Sequence, residues 1–248
     1  MKINDLFCVK KKVVLVTGAS RGIGNFIAKS LHDLGAIVYG FGRTSSTKIK
    51  TKFKYKSLDI THYNDVVAAV DKVFEIEKKI DVLINGAGIT LPTKSDIYCR
   101  KDFLSSIETN LLATNDLSQL VSMKMKENNY GVILNISSIG AKIGFPNNPG
   151  YIASKTALVG LTKSLSIDLA PFNIRVNNLA PGYIQTDMTK NSYLDSKKNK
   201  ERVDRMIIKR WGIPKDLIGG VIFLISDASS YVTGTDLIID GGWTAKGI

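Results

Sequence analysis

Residues 13–24 have the sequence VVLVTGASRGIG, which combines a strand, a glycine turn and the start of a helix. Residues 13–16 are apolar and rich in β-branched side chains, a pattern typical of a strand buried on both faces. From Ile23 to Leu34 apolar residues recur at helical spacing, and Gly35 follows where a helix C-cap glycine is expected. Free backbone N–H groups and the positive end of the helix dipole meet at such a turn. The stretch therefore predicts an anion site that suits a pyrophosphate.

The same alternation of strand and helix continues through the chain. Apolar runs that predict strands lie at residues 13–16, 37–41, 54–58, 82–85, 132–136, 175–179 and 237–239. Because helical stretches separate them, they predict a Rossmann-type α/β fold, a doubly wound parallel sheet of about seven strands with helices on both faces in three α/β/α layers. No linker or repeat interrupts the 248 residues, and a hydrophobic content of 44% is ample for a core. We therefore expect one domain over residues 1–248.

A second pattern, GYIASKTALVGL at residues 150–161, carries the chemistry. Tyr151 and Lys155 are four residues apart, which on a helix places their Cβ atoms about 5–6 Å from each other on one face. With an ordinary pKa of about 10, only on the order of one tyrosine in a thousand is ionised at neutral pH, so a nearby ammonium is needed to activate the phenol. Ser138 lies thirteen residues upstream of Tyr151. Together with the glycine turn, these residues predict a hydride-transfer enzyme.

With these motifs the chain resembles the short-chain dehydrogenase/reductase family, single-domain type, from about residue 13 to residue 242. The resemblance implies four catalytic residues, which are Asn110, Ser138, Tyr151 and Lys155. Ser138 would hold the carbonyl oxygen and Tyr151 would supply the proton. Lys155 would lower the pKa of Tyr151 and bond the cofactor ribose, and Asn110 would hold a water that passes protons on from Lys155.

The resemblance also implies a nicotinamide dinucleotide site, because the family's TGxxxGxG pattern begins at Thr17. Its NNAG motif is present as NGAG at residues 85–88, so that Gly86 removes one amide side chain. Asp59 and Ile60 follow the third strand, where the adenine is contacted. The implied cofactor contacts are Gly18, Ser20, Arg21, Gly22, Ile23, Gly24, Arg43, Thr44, Asp59, Ile60, Asn85, Ala87, Gly88, Tyr151, Lys155, Pro181, Gly182, Ile184 and Thr186.

The choice of nicotinamide cofactor depends on the end of the second strand. An acidic side chain there bonds the ribose 2′-hydroxyl, whereas Arg accepts a 2′-phosphate. In this chain the strand is followed by Gly42, Arg43 and Thr44 and by no acid, and Arg21 in the glycine turn would pair from the other side. We therefore expect NADP(H) in preference to NAD(H); the alternative is that Arg43 is a solvated loop residue.

The net charge is +12, from 34 Lys and Arg against 22 Asp and Glu. Lys48, Lys50, Lys52, Lys54 and Lys56 alternate with less polar residues and would line one face of a strand that lies at the edge of this family's sheet. Lysine on an edge prevents sheet-to-sheet aggregation, and the positive field would steer a polyanionic cofactor. We prefer this interpretation to a nucleic-acid surface, which tight, salt-dependent binding of duplex DNA or RNA would reveal.

Substrate identity depends on a lid at about residues 186–211 and on the loop between Ser138 and Tyr151. Residues 190–210 carry eight basic and three acidic side chains, which suits an anionic substrate or a hydrated helix face. The ending, with DGGW at residues 240–243, resembles sugar-acid and polyol dehydrogenases such as gluconate 5-dehydrogenase. The alternative, a 3-oxoacyl-(acyl-carrier-protein) reductase, tends to carry Arg where this chain has Asn129 and Phe172. A non-catalytic NADP(H) sensor is a lesser alternative, because a sensor has no need of all four catalytic residues.

Location and partners follow from what the sequence lacks. It has no apolar stretch of about 20 residues and no hydrophobic leader, so neither a membrane span nor a secretory signal is expected. Cys8 and Cys99 have neither metal-ligand nor disulfide spacing. We therefore expect a cytoplasmic protein that holds no metal and acts on a small carbonyl or alcohol. The resemblance implies a homotetramer formed through the helices of Asn110 and Tyr151 and the C-terminal strand. Apolar surface for that contact, or for the core, would come from Leu158, Leu161, Leu165 and Leu169.

Overall fold

The computed structural model describes residues 2–93 and 98–246. Seven strands form one parallel sheet in the order β3-β2-β1-β4-β5-β6-β7. They are β1 (Val13–Thr17), β2 (Ile37–Gly42), β3 (Lys54–Ser57), β4 (Val82–Asn85), β5 (Gly131–Ile136), β6 (Ile174–Pro181) and β7 (Asp236–Ile239). The predicted Rossmann-type fold is confirmed, and every strand lies within two residues of its predicted bounds.

Helices connect the strands. They are α1 (Ile3–Leu6), α2 (Gly22–Asp33), α3 (Tyr63–Glu77), α4 (Arg100–Ile107), α5 (Ala113–Glu127), α6 (Pro149–Leu169), α7 (Lys190–Tyr193), α8 (Ser196–Arg205) and α9 (Lys215–Ile225). A π turn at Glu108–Leu112 joins α4 to α5. Short 3₁₀ turns lie at Ser46–Lys48, Ile139–Ala141, Ala170–Phe172 and Asp227–Ser229.

The sheet is buried between two apolar cores because successive side chains of a strand point to opposite faces. Val13 and Leu15 of β1 contribute to one core, and Val14 and Val16 contribute to the other. Residues of α3, α5 and α6 complete the first core, while residues of α2 and α9 complete the second. This arrangement gives the three layers that the continuous apolar strands predict.

The strand order reverses at β1, which pairs in parallel with β2 on one side and with β4 on the other. Loops that leave neighbouring strands in opposite directions open a crevice beyond the carboxyl ends of those strands, where doubly wound folds bind their ligands. Gly18 follows β1 and Gly86 follows β4, so both glycine motifs lie at this crevice.

The lysine run does not form one long strand, so that part of the prediction is wrong. β3 has four residues, and Lys48, Lys50 and Lys52 precede it; Lys48 ends a 3₁₀ turn. β3 is nevertheless an edge strand, as expected. Lys54 is held there, because its Nζ donates to the Glu77 carboxylate of α3 at 2.8 Å.

The leucines that follow Tyr151 on α6 serve this chain's own core. Leu158, Leu165 and Leu169 are buried, and Leu161 packs partly buried against the first core. Among residues 2–93 and 98–246, no helix is both long and apolar enough to cross a membrane. Cys8 and Cys99 are free thiols.

Candidate active site

The turn after β1 is built on backbone approaches that exclude side chains. Gly18 has a φ of +69°, and a Cβ placed there would lie 2.6 Å from the Gly86 carbonyl oxygen. A Cβ on Gly24 would lie 2.5 Å from the carbonyl oxygen of Gly18. These two glycines are therefore required for α2 and the β4 loop to approach the turn this closely.

The N-terminus of α2 lies at the turn where the sequence predicts an anion site. Arg21 is the N-cap residue, and within the described chain no side chain caps the first turn of this 12-residue helix. Gly22, at φ +59°, follows it, and a Cβ there would meet only the Thr186 side chain, at 3.7 Å. The first N–H groups of a helix have no acceptor within it and can donate to a pyrophosphate, so the turn from Ser20 to Ile23 fits the implied dinucleotide.

Thr17 is a functional residue to which the sequence argument assigned no role. Its Oγ1 accepts hydrogen bonds from the backbone N–H groups of Gly86 and Ala87, both at 3.1 Å. A Cβ on Gly86 would lie 2.8 Å from the Thr17 carbonyl oxygen, so the second Asn of an NNAG motif would need this backbone to shift. Gly86, which replaces the second Asn of the motif, thus lies where the loop after β4 closely contacts the turn after β1. In the sequence, Thr17 is marked only as the first residue of the TGxxxGxG pattern.

Asn85 is turned into the sheet. Its Nδ2 donates to Asn135 Oδ1 at 2.8 Å and to Ser118 Oγ at 2.9 Å. Its Oδ1 is buried and has no hydrogen-bond partner in the described part of the chain. The side chain therefore steadies the central strands, while Ala87 and Gly88 extend along the crevice.

The three proposed proton-handling side chains come together at the end of β5. Ser138 follows the strand, and its Oγ accepts a hydrogen bond from the Gly140 N–H at 3.0 Å. Tyr151 and Lys155 lie on α6, and Lys155 Nζ is 5.9 Å from the centroid of the Tyr151 ring. Nζ donates to the carbonyl oxygen of Ile136, the last residue of β5, at 2.7 Å.

Burial changes the acidity of both groups on α6. It raises the pKa of the Tyr151 phenol, and a hydrogen bond with the Ser138 side chain opposes that rise. Burial also lowers the pKa of Lys155 to about 8. In this geometry the ammonium donates to the backbone carbonyl of Ile136 and not to the phenol, so the effect of its charge on the pKa of Tyr151 stays a prediction.

Asn110 is fully buried inside the π turn, a rare helical form that frequently marks functional sites. Its Oδ1 accepts from the Ile89 N–H at 2.8 Å, and its Nδ2 donates to the Ile89 carbonyl at 2.9 Å and to Ser154 Oγ at 3.0 Å. A Cβ on Gly88 would lie 3.3 Å from Asn110 Oδ1 and 3.6 Å from Lys155 Nζ, so the three residues are neighbours. Since the amide is engaged, a water bound at Asn110 would have to use the main chain.

A cleft of about 420 Å³ lies at the carboxyl ends of β2 and β3, and both Arg43 and Asp59 line it. One Asp59 oxygen accepts from the N–H and the hydroxyl of Thr61, at 3.1 and 2.9 Å. Arg21 is not part of this lining among the described residues. Ile60, which follows Asp59, buries its side chain in the first core, so only its backbone is available to an adenine.

Tyr55 is a second residue that the sequence argument missed. Its phenol oxygen lies 2.9 Å from the carbonyl oxygens of both Gly42 and Thr44, and so holds the loop that presents Arg43. A Cβ on Gly42 would lie 3.2 Å from Ser20 Oγ, so this loop also adjoins the glycine turn. Tyr55 lies between Lys54 and Lys56 in β3, and its side chain extends from the strand toward the loop of Arg43.

The end of β6 closes the other side of the crevice. Gly182 donates its N–H to the Ile239 carbonyl at 2.9 Å, which ties Pro181–Gly182 to β7. Ile184 is buried in the second core, so only its backbone can face a ligand. Thr186 donates its N–H to Thr189 Oγ1 at 3.0 Å and lies beside Gly22. The structure thus brings Thr186 next to the N-terminus of α2.

The lid that follows Thr186 contains α7 and α8 and ends at Trp211. The Trp211 ring packs against Tyr193 with centroids 5.8 Å apart, and its Nε1 donates to Asn199 Oδ1 at 3.0 Å. The segment predicted as a lid is therefore held together by contacts of Trp211 with its two short helices.

Comparison with known proteins gives a consistent result. The family model described as enoyl-(acyl carrier protein) reductase matches residues 18–244. The chain is 36% identical to the 2-dehydro-3-deoxy-D-gluconate 5-dehydrogenase of Bacillus subtilis, across 98% of this chain and 99% of that protein. It is 37% identical to a 3-oxoacyl-(acyl-carrier-protein) reductase of Chlamydia pneumoniae, across 97% of this chain and 99% of that protein.

A solved structure is similar over the same length. The gluconate 5-dehydrogenase of Burkholderia cenocepacia, in complex with NADP and tartrate, superposes with a TM-score of 0.91 at 30% identity. The alignment covers 98% of this chain and 99% of that one.

Proposed function

Because the chain belongs to the short-chain dehydrogenase/reductase family and is an oxidoreductase acting on CH–OH groups, we propose that it interconverts the ketone and secondary alcohol of a sugar acid or polyol with NADP(H). The observation that carries the proposal is the grouping of Ser138, Tyr151 and Lys155 at the carboxyl end of β5, the same end of the parallel sheet at which α2 begins with its uncapped N-terminus. That grouping combines proton transfer with a site for a dinucleotide pyrophosphate.

In the reductive direction, a bound nicotinamide cofactor supplies the hydride that attacks the carbonyl carbon. Ser138 Oγ already accepts the Gly140 N–H, so its own proton remains available to the substrate oxygen. Tyr151 holds its phenolic proton, because burial raises its pKa, and it gives that proton to the oxygen as negative charge develops there. Lys155 supplies positive charge beneath the phenol and, with a pKa of about 8, stays largely charged at neutral pH.

NADP(H) is proposed over NAD(H) from the cleft beside β2 and β3. Arg43 and Lys56 line it beside the carboxylates of Asp59 and Asp65, and the Arg43 guanidinium is the group that would bind a 2′-phosphate, while Tyr55 fixes the loop of Arg43. Relatives support a nicotinamide cofactor, since the Burkholderia cenocepacia enzyme is bound to NADP.

A sugar acid or polyol is preferred over a carrier-protein thioester. Asn129 and Phe172 stand where carrier-protein reductases tend to have Arg. Of the nearby lysines, Lys124 pairs with Asp71 at 3.0 Å, whereas Lys126 stacks on Phe172, 4.6 Å from the ring centroid, and keeps its charge. The charge of Lys126 alone is less than the two Arg that such reductases tend to present to an acidic carrier. The similarity to the Chlamydia pneumoniae reductase keeps that substrate as the second candidate.

The test compares oxidation of NADPH and NADH over a panel of keto-sugar acids, acetoacetyl thioesters and small diketones. We expect NADPH to be preferred and a keto-sugar acid to be the substrate turned over. Tyr151→Phe should bind NADPH normally and lose at least about 100-fold in kcat, as expected for removal of a general acid.

Each contrary outcome has a distinct meaning. A preference for NADH would place Arg43 in solvent, and turnover of acetoacetyl thioesters alone would favour the carrier-protein substrate. Tight NADPH binding with no turnover of any panel member would favour a sensor. Near-wild-type turnover by Tyr151→Phe would remove Tyr151 from the mechanism.

A further inference from the structure

Arg202 lies on α8, inside the lid, and its guanidinium stacks on aromatic rings. Its Cζ is 4.8 Å from the centroid of Tyr183 and 5.7 Å from that of Trp211. Its Nη1 is buried and, within the described residues, has no hydrogen-bond acceptor. A buried charged N–H group without an acceptor is costly, so this nitrogen is a donor that a ligand would satisfy.

Trp243 supplies a second donor of the same kind. The residue is 7% exposed, and its Nε1 is buried without a hydrogen-bond partner in the described chain. Trp211, in the same aromatic group, instead donates its Nε1 to Asn199. Because buried indole N–H groups usually have a hydrogen-bond partner, the Trp243 N–H is a donor that a ligand would satisfy.

Both donors are grouped around one ring. The Tyr183 ring contacts the Arg202 guanidinium and also packs edge-on against Trp243, with centroids 4.7 Å apart. On its other side the Phe145 ring lies 6.1 Å away. A Cβ on Gly140 would lie 3.2 Å from Phe145 and 3.3 Å from Ser138 Oγ. The aromatic group therefore extends from the catalytic serine to Arg202.

The acids of the lid do not neutralise Arg202. Asp195 pairs with Lys198 at 3.2 Å, and Asp204 pairs with Lys200 at 2.7 Å. In the described part of the chain, no carboxylate lies within ion-pair distance of Arg202. Its charge is thus not neutralised by a carboxylate of the described chain.

We propose that Arg202 Nη1 and Trp243 Nε1 bind the carboxylate of the substrate, at the end of the molecule away from the carbon that reacts at Ser138. A carboxylate accepts several hydrogen bonds through two oxygens, and so can satisfy both donors at once. The inference rests on the proposed sugar-acid function and assigns the residues that distinguish a sugar acid from a neutral polyol.

The test is a titration of the NADPH-bound protein, in which the reduced cofactor cannot oxidise either ligand, with gluconate and with sorbitol, which has the same number of carbons and no carboxylate. Trp211 and Trp243 are the two tryptophans of the chain, and both contact Tyr183, at 5.3 and 4.7 Å. Intrinsic fluorescence therefore reports occupancy of this subsite without requiring turnover.

Arg202→Gln should raise the dissociation constant of gluconate by about 10- to 100-fold and leave that of sorbitol unchanged. Arg202→Lys keeps the charge, and its dissociation constant for gluconate should lie between those of the wild type and Arg202→Gln. Trp243→Phe removes one N–H group and should raise the gluconate constant by about 3- to 10-fold, with Trp211 as the remaining reporter. Lys197→Gln is the matched control and should leave the gluconate constant unchanged, because Lys197 is an exposed cation on the same helix.

A gluconate constant that is the same in Arg202→Gln, Lys197→Gln and the wild type would overturn the subsite, as would equal responses to gluconate and sorbitol. If no sugar acid is turned over but gluconate binding still depends on Arg202 and Trp243, the anion subsite stands and the proposed reaction falls. If sugar acids are turned over and Arg202→Gln leaves their KM unchanged, the reaction stands and the subsite falls.

Discussion

Lys155 is the residue whose charge depends most on its burial. It is 5% exposed, its ammonium has the Ile136 carbonyl as acceptor, and burial lowers its pKa from 10.5 to about 8. A charged ammonium held in this position costs folding free energy that an unfolded chain does not pay. The protein therefore accepts a local loss of stability to keep a cation beneath Tyr151.

This cost predicts a pH dependence. Below pH 8 the unfavourable term is fully present, because Lys155 is charged in both the folded and the unfolded chain. Above pH 8 the folded chain releases the proton first, so folding stability should rise by up to about 1.4 kcal/mol per pH unit until the unfolded lysine also titrates. Urea unfolding gives the free energy of unfolding of the wild type and of Lys155→Met at pH 7 and at pH 9.5. The change with pH in the difference between the two proteins is the contribution of Lys155.

Lys163→Met is the control, since Lys163 is exposed on the same helix. Its stability difference from the wild type should not change over that range. A Lys155→Met difference that is equally constant would mean that the ammonium is well solvated.

At the scale of elements, the junction between the β1 turn and the β4 loop depends on one hydroxyl. Thr17 Oγ1 accepts both the Gly86 and the Ala87 N–H groups. Thr17→Val keeps the shape and removes the acceptor, so it should lower the free energy of unfolding by about 2 kcal/mol. Thr17→Ser keeps the oxygen and should lower it by less than about 1 kcal/mol. A larger loss in Thr17→Ser than in Thr17→Val, measured by urea unfolding, would mean that packing of the methyl group matters and the hydroxyl does not.

The elements that the sequence could predict are those with a strong local pattern. β1 is a continuous apolar run, and Gly18 and Gly24 mark a turn whose close approaches admit no side chain. What could not be predicted depends on partners distant in the chain. Asn85 meets Asn135 fifty residues later, and nothing local signals the π turn around Asn110.

One local pattern misled. The alternation of lysines from residue 48 to residue 56 has a strand period, but pairing with β2 begins only at Lys54. A period of two describes which face a side chain takes once a strand exists, and it does not supply the hydrogen-bonding neighbour that makes the strand.

At the scale of the whole molecule, the two edges of the sheet differ. β3 presents Lys54 and Lys56, whereas β7 carries the sequence DLII and leaves Ile238 partly exposed. A charged edge resists pairing with another chain, and an apolar edge does not. Exposed apolar side chains also lie on α5 and α6, where Met123 is 53% and Ile167 is 73% exposed.

We therefore predict that the chain assembles through the β7 edge and α5 and α6, and elutes on sizing at about four times its 27.1 kDa mass. Ile167→Asp should yield smaller species. Ile76→Asp, at a comparably exposed isoleucine of α3 that is 57% exposed, should not. A wild-type chain that elutes only as a monomer would contradict the prediction.

The buried amide of Asn85 begins a row of side chains that crosses half of the sheet. Asn135 Nδ2 donates to Thr162 Oγ1 at 2.9 Å, Thr162 donates to Asn178 Oδ1 at 2.7 Å, and Asn178 donates to Asp236 at 2.6 Å. These strand residues are directly opposite one another in the register of β4 to β7. A slip of one residue at any of these strands would place an amide against an apolar core and leave its neighbour without a partner. The row thus fixes the register of strands β4 to β7. Residues along it would have to be substituted together to keep that register.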